Sequence, residues 1–257
     1  MLIKSDATLL KMTRCFFEIS YNGSPYYGWQ QQVGQVSVQE VIQKNLKKIF
    51  QKEEIEIVGC GRTDKGVHAK QFFFHCDFTH EFNEDNLVYK LNKMLPESIS
   101  IATIFKVGSD LHARFSATKR TYRYFIHKQK DPFLSECSTY FPHKVDIENM
   151  NNACKALLGK QDFSSFAKVH TDVKTHICSV YNAQWFTQGN QLVFEISADR
   201  FLRNMVRAIV GTMLDIGTNK LTSDNLSEII AKKDRSAASK SVSANGLFLW
   251  KVEYDFK

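Results

Sequence analysis

One succession of apolar patterns occurs twice in this chain of 257 residues, and that repetition most narrows what the chain can fold into. In the first half, residues 15–20 read as a strand that turns at Asn22-Gly23. Ser37 and Glu40 have capping-box spacing, and Val38, Val41, Ile42, Leu46, Ile49 and Phe50 follow at helical intervals. Residues 54–59 alternate, with Ile55 and Ile57 on one face, and residues 71–78 make a dense aromatic strand. Leu87, Val88, Leu91, Met94 and Leu95 form a second helical stripe ended by Pro96, and residues 99–106 give another strand. The second half repeats this order. Residues 121–127 read as a strand, and Asp146 caps a helix carrying Ile147, Met150, Cys154, Leu157 and Leu158, with Gly159 placed to end it. Strands at 177–185 and 192–198 are joined through Gln188-Gly189-Asn190. A long helix over 201–216, a shorter one after Ser223 and a strand at 247–254 complete the set.

Both halves therefore read β-α-β-β-α-β, the order of the ferredoxin-like unit. The expected fold class is α+β: pseudo-duplicated ferredoxin-like halves, residues 1–110 and 111–257, with antiparallel sheets meeting at a central cleft. Period-two spacing puts Leu192, Phe194 and Ile196 on one face, and likewise Phe248, Trp250, Val252 and Tyr254. An apolar content of 43% with 24% charged residues, 4 Pro and 20 Phe describes a chain with a substantial core and excludes disorder. No run reaches the roughly 18 apolar residues of a membrane span. The first ten residues lack a secretory h-region and cleavage site, so a cytoplasmic protein is expected. The 6 cysteines are scattered without a Cys-x-x-Cys pair and read mostly as small buried thiols. A formal charge of +7 favours a polyanionic partner such as nucleic acid.

Between two strands of the first half lies Gly61-Arg62-Thr63-Asp64-Lys65-Gly66-Val67-His68-Ala69. Glycines at its first and sixth positions permit a tight path or a close approach to a ligand. Spacing alone leaves two readings open: a carboxylate fixed beside cations for chemistry, or a solvated polar turn. A phosphate loop is excluded, because the Gly-Lys-Ser/Thr ending is missing.

That loop has company elsewhere in the chain. Tyr21-Asn22-Gly23, Gly28-Trp29-Gln30 and Ser37-Val38-Gln39-Glu40 precede it; His112-Ala113-Arg114-Phe115-Ser116-Ala117 and Tyr122-Arg123-Tyr124 follow. Further on come Phe163-Ser164-Ser165-Phe166, Met205-Val206-Arg207, Ile209-Val210-Gly211, Gly246-Leu247-Phe248-Leu249 and Val252-Glu253-Tyr254. In this order the blocks, spanning about residues 14–254, resemble the tRNA pseudouridine synthase A family. The resemblance implies a homodimer of protomers with two ferredoxin-like halves. It further implies isomerisation of uridines 38, 39 and 40 in the tRNA anticodon arm, with no metal and no cofactor. Asp64 then matches the essential aspartate, and Arg62 the arginine that helps hold the target nucleotide out of its stack. Tyr122 matches the tyrosine against the target base, Arg207 the arginine paired with the aspartate, and Leu247 an apolar pocket wall.

The residues themselves add to this reading. Over a helix at 201–216, Phe201, Leu202, Met205, Val206, Ile209, Val210 and Met213 form the buried side, with Arg200, Arg203 and Arg207 opposite. Arg200 reads as solvated, and Arg203 as either a phosphate contact or none. Arg207 rests on the resemblance, since spacing shows only that it lies off the core stripe; paired as the resemblance implies, it would orient the Asp64 oxygens through a two-pronged contact. Tyr122, Tyr124 and Ile126 share a strand face, where a tyrosine can stack on uracil or simply pack in the sheet. Arg114, Lys119, Arg120 and Arg123 fall within ten residues and would line an RNA path or a solvated edge; Lys11, Arg14, Lys47 and Lys48 are weaker candidates. Trp29, after Tyr26-Tyr27, could touch RNA or anchor its loop. His68, His75 and His112 do not have zinc-set spacing, so no metal is expected. Residues 234–245, rich in Ser, Ala and Lys, depart from the family's proline-containing approach to Gly246-Leu247 and leave the pocket rim open. Two rivals remain: a non-catalytic RNA-binding module using the same cleft, and a hydrolase with Asp64 as nucleophile or base.

Overall fold

The computed structural model describes residues 12–51, 54–169 and 173–256, which leaves Lys11 outside the described residues. The first half contains β1 (Thr13–Tyr21), α1 (Val38–Phe50), β2 (Val58–Gly59), β3 (His68–Phe78), α2 (Glu84–Met94) and β4 (Ile99–Val107). The second contains β5 (Ala117–His127), β6 (Thr139–Tyr140), α3 (Ile147–Cys154), β7 (Gly159–Asp162), β8 (Ile177–Gln188), β9 (Gln191–Ala198), α4 (Met205–Gly217), α5 (Asn225–Lys232) and β10 (Leu247–Tyr254). The helix starts follow from capping side chains. Ser37 Oγ accepts from the Glu40 N–H at 3.2 Å, Asn83 Oδ1 from Asn86 at 2.8 Å, and Asp146 Oδ1 from Asn149 at 2.9 Å.

The fold is a mixed α/β architecture on one large sheet. Its strands run β4-β1-β3-β10-β5-β9-β8-β7, with β2 on β3 and β6 on β5, 10 in all. The antiparallel sheets expected to meet at a central cleft are instead joined into one. β10 lies antiparallel to β5 but pairs parallel with β3, through Phe248↔His68 and Leu249↔Ala69. That join gives the inner edges of β3 and β10 partners they would otherwise lack. Two apolar cores flank the seam. One contains Phe16, Phe17, Trp29, Ile42, Leu46, Phe72 and Phe74; the other contains Tyr124, Phe163, Phe194, Met205, Ile209 and Met213. The seam residues cross over: Val67 packs in the second core, Leu249 and Val252 in the first, and Tyr122 touches both.

The helix expected to carry Leu157 and Leu158 as far as Gly159 ends at Cys154, a 3-10 turn follows over Lys155–Leu157, and Gly159 opens β7. Three further expectations from periodicity change. Residues 54–59 form strand only at β2, because glutamines of α1 take the earlier carbonyls: Gln43 Nε2 donates to Ile55 O at 2.7 Å and Gln39 Nε2 to Ile57 O at 3.0 Å. β10 does not keep Phe248, Trp250, Val252 and Tyr254 on one face. Its register slips between Leu249 and Lys251, so Phe248 and Trp250 meet Phe125, while Val252 and Tyr254 join Leu249 at the first core. Finally, α4 begins at Met205, not at residue 201. Asn204 adopts φ 68°, a left-handed conformation that cannot continue a right-handed helix, and its amide donates to Ser241 Oγ at 2.7 Å. Arg200 and Arg203 therefore precede the helix, and only Arg207 projects from it.

Candidate active site

The loop of residues 61–69 enters β3 at the sheet's seam. Its Asp64–Val67 turn closes through the Val67 N–H on Asp64 O at 3.1 Å, and Gly66 takes the required positive φ of 77°. Gly61 needs no such freedom, since a Cβ there would meet nothing within 4 Å. The segment from Tyr21 to Trp29 holds the loop from behind. Tyr21 Oη and Thr63 Oγ1 share a buried hydrogen bond of 2.9 Å. Trp29 N–H donates to Thr63 O at 3.3 Å, and Gly66 N–H to Tyr26 O at 3.2 Å. Gly28, at φ 88°, approaches so closely that a Cβ would sit 2.2 Å from Thr63 O. Trp29 is buried against Phe72, so the aromatic cluster anchors the loop. His68 completes the fastening. Its Nδ1 accepts from the Gly23 N–H at 3.1 Å, so its Nε2 carries the proton given to Asn245 O at 3.1 Å. Burial lowers the His68 pKa, which keeps this neutral tautomer.

Asp64 stands on this frame with its side chain one-quarter exposed, and two arginines approach it, one toward each oxygen. Arg203 Nε donates to Oδ1 at 3.2 Å. Arg207 Nη1 lies 3.9 Å from Oδ2. The two-pronged grip expected of Arg207 is not formed, because its Nε donates to Val242 O at 2.7 Å. Arg203, expected as a phosphate contact or none, instead supplies the hydrogen bond. Its side chain is 56% exposed against 22% for Arg207, so Arg207 is the more enclosed partner and Arg203 the more solvent-screened one.

Around the carboxylate, Tyr122 presents a partly buried ring that meets Phe201 edge-on, centroids 5.0 Å apart. Burial raises its phenol well above the ordinary range, so it offers a ring and a hydroxyl but no base. Leu247 is buried in the second core, and its N–H donates to Ala244 O at 2.9 Å. Arg62 is exposed beside the turn. Of the four cations grouped in sequence, three are engaged by protein. Lys119 pairs with Glu253 at 2.6 Å. Arg120 donates to Ala117 O, Asp199 O, Cys60 O and Arg114 O at 2.7–3.2 Å. Arg123 pairs with Glu195 at 2.7 Å and lies 4.3 Å over the Trp250 ring, on the strand face opposite Tyr122. Arg114 is the exposed member; burial and the nearby Arg62, Arg120 and Arg200 lower its pKa. Arg14 is likewise structural, bridging Asp77 at 2.7 Å and the carbonyls of Ser109 and Leu111.

The histidines hold backbone. His75 Nδ1 accepts from Ala113 N–H at 3.1 Å, and burial, then Arg14, pushes its pKa down to about 4. His112 Nδ1 accepts from the N–H groups of Arg114 and Phe115. Among the described residues no group of three or more His, Cys, Asp or Glu is placed to hold a metal ion.

A family model for tRNA pseudouridine synthase matches residues 19–116 and 153–255. The tRNA pseudouridine synthase A of Parabacteroides distasonis is 46% identical over 246 residues, covering 95% of this chain and 96% of that protein. The proteins of the same name from Bacteroides fragilis and Bacillus subtilis are 44% and 36% identical, covering 95% and 92% of this chain and 98% and 97% of their own lengths. The chain belongs to the tRNA pseudouridine synthase A family. It is an enzyme, an isomerase of the pseudouridine synthase type. Arg62, Asp64, Arg114, Arg203, Arg207 and Leu247 lie inside the matched segments, while Tyr122 and Arg123 lie between them.

In this member of the tRNA pseudouridine synthase A family, residues 234–245, which contain no proline, are held by side-chain hydrogen bonds. Arg235 donates to Ala238 O, Ser239 O and Ser241 Oγ, each at 3.1 Å. Ser239 N–H reaches Thr212 Oγ1 of α4 at 3.2 Å, and the Asn245 amide donates to Ser135 O and Ser138 O at 2.8 and 3.0 Å. Tyr124 Oη donates to Ser243 O at 2.9 Å. These polar contacts deliver Val242 O to Arg207 and Leu247 to β10. Sequence reading missed Arg120, Arg235 and Asn245 as positioning residues. Their only sequence signal is a long donor side chain beside loop segments rich in carbonyls.

Proposed function

We propose that this enzyme converts uridine to pseudouridine in the anticodon arm of tRNA, at positions 38, 39 and 40, with Asp64 as the catalytic carboxylate and the target base flipped out. The observation that carries this reading is the Asp64 geometry: a partly exposed carboxylate on a braced turn, with a guanidinium facing each oxygen. The reaction breaks the bond from ribose C1′ to uracil N1 and joins C1′ to C5; C5 loses its proton and N1 gains one. Atoms and electrons balance without a redox centre, a group donor or water, so no cofactor and no metal is invoked. One carboxylate can serve by adding to uracil C6, by acting at C1′, or by abstracting a sugar proton.

The supporting roles follow the surroundings of Asp64. Arg207 orients the carboxylate, and Arg203 covers it in the free enzyme and turns to a phosphate as RNA enters. Tyr122 lies against the uracil, contributing about 1–3 kcal/mol as stacking platforms do. That offsets part of the few kcal/mol needed to unstack the nucleotide. Arg62 fills the space the base leaves, Leu247 walls the pocket, and Arg114 meets backbone phosphate. Arg123 is assigned to substrate only at the outer sheet face, since Glu195 already holds it.

The architecture is read as two ferredoxin-like halves, residues 1–110 and 111–257. Strand orders β4-β1-β3-β2 and β10-β5-β9-β8 each fit that unit. A cytoplasmic homodimer is the assembly proposed; no helix among the described residues is long and apolar enough to cross a membrane. The test is a pseudouridine map of total tRNA from cells lacking the enzyme, complemented with this chain. Restoration confined to positions 38–40 is the expected result. Modification elsewhere, or free uracil released from intact tRNA, contradicts it.

A further inference from the structure

We propose that Phe115 is a base-stacking platform beside the Asp64 loop, receiving an unpaired RNA base next to the target nucleotide. The proposal rests on the reading of RNA as substrate. Phe115 leaves 76% of its surface in solvent, on a turn whose backbone is held in place and with a ring neighbour, His112. Its N–H donates to His112 Nδ1 at 3.3 Å, and its ring lies 4.4 Å from the His112 ring, tilted by 35°. The turn that carries it is closed by Ser116 N–H on His112 O and by His112 N–H on Ser116 Oγ, both at 2.9 Å. Tyr254 Oη and His75 Nδ1 pin Ala113 by its carbonyl and its N–H. An exposed ring on a backbone fixed in this way loses less freedom on stacking than one on a loose loop, which is what a preorganised binding element requires.

Two observations favour an RNA base as the occupant. One nitrogen of Arg120, Nη2, donates both to Arg114 O at 2.7 Å and to Cys60 O at 3.0 Å. The Phe115 turn and the strand end feeding the Asp64 loop are thus tied to one guanidinium. Cations also flank the ring: Arg114 is 5.6 Å from it, and Arg62, Arg120 and Arg200 are near enough to Arg114 to depress its pKa. An aromatic face among arginines fits a nucleobase with phosphates on either side. The other highly exposed phenylalanine, Phe133 at 91%, sits in a loop where Asp131 and Glu136 offset Lys128 and Lys130, so no excess of positive charge surrounds it.

The test uses full-length enzyme and tRNA in single-turnover assays. Phe115→Ala is expected to raise the half-saturating tRNA concentration by about tenfold or more. The saturated rate changes by no more than about twofold, since the ring touches a neighbouring base and not the reacting one. Phe115→Trp keeps wild-type saturation, and its fluorescence is quenched by tRNA beyond the quenching of the three native tryptophans, a readout that survives even if the Ala variant is unstable. Full function in Phe115→Leu, unchanged saturation in Phe115→Ala, no added quenching, or an altered oligomeric state in Phe115→Ala would each overturn the platform. Wild-type enzyme inactive on tRNA would sink the parent reading; active wild type with an unaffected Ala variant refutes the platform alone.

Discussion

Asp64→Asn protein is expected to bind tRNA within about twofold of wild type and to form pseudouridine at least about 10⁴-fold more slowly. Asparagine is isosteric with aspartate, so its Oδ1 can still accept from Arg203, now 3.2 Å from the carboxylate. The turn closed by the Asp64 carbonyl is untouched, because that bond is made by backbone. What the variant lacks is the charge and the second oxygen that can add, abstract or stabilise. The assay is single-turnover release of a label from uracil C5, paired with a binding titration. A rate within about tenfold of wild type would move the chemistry to another group. Loss of binding in step with rate would make Asp64 a docking residue and favour the non-catalytic module.

The second large effect comes from Gly28. Gly28→Ala is expected to cost about 3 kcal/mol or more of stability and to lower activity in any protein that folds. Two penalties coincide there. The backbone sits at φ 88°, which an L side chain rarely adopts, and the added methyl would lie 2.2 Å from the Thr63 carbonyl oxygen. Thr63 directly precedes Asp64, so relieving that clash moves the Asp64 carboxylate. Gly61→Ala is the matched control: it starts the same loop but has open space and no left-handed backbone, and should cost under about 1 kcal/mol. Denaturant unfolding of both variants gives the comparison. Equal stabilities would mean that the 21–29 segment does not brace the loop.

Much of this arrangement was legible in the residues, and the illegible parts have specific causes. Helix caps at Ser37 and Asp146 and the span of β10 depend on local chemistry, which sequence records directly. The start of α4 was not legible, because one left-handed asparagine breaks a periodicity into which Phe201 and Leu202 fall. The face assignments of β10 failed for the same kind of reason, a single bulged residue that alternation cannot register. The Asp64 loop was recognisable, and so was Arg207 as a residue near it. The hydrogen-bonding partner was Arg203, however, and four neighbouring cations had four different fates. Which carboxylate or carbonyl a guanidinium finds is set by strands far apart in sequence, such as Arg123 with Glu195 and Arg120 with Cys60. Joining of the two sheets through β3 and β10 is a long-range pairing of two residue pairs, invisible to any local pattern.

Crystallising the enzyme with a tRNA anticodon arm bearing a stable analogue at the target uridine would probe the catalytic assignment most directly. A flipped-out nucleotide is expected against Tyr122, with an Asp64 oxygen within about 3.5 Å of its C1′, C2′ or C6. Finding that oxygen still clamped by Arg203 and separated from the sugar and base by solvent would contradict Asp64 as the group that performs the isomerisation.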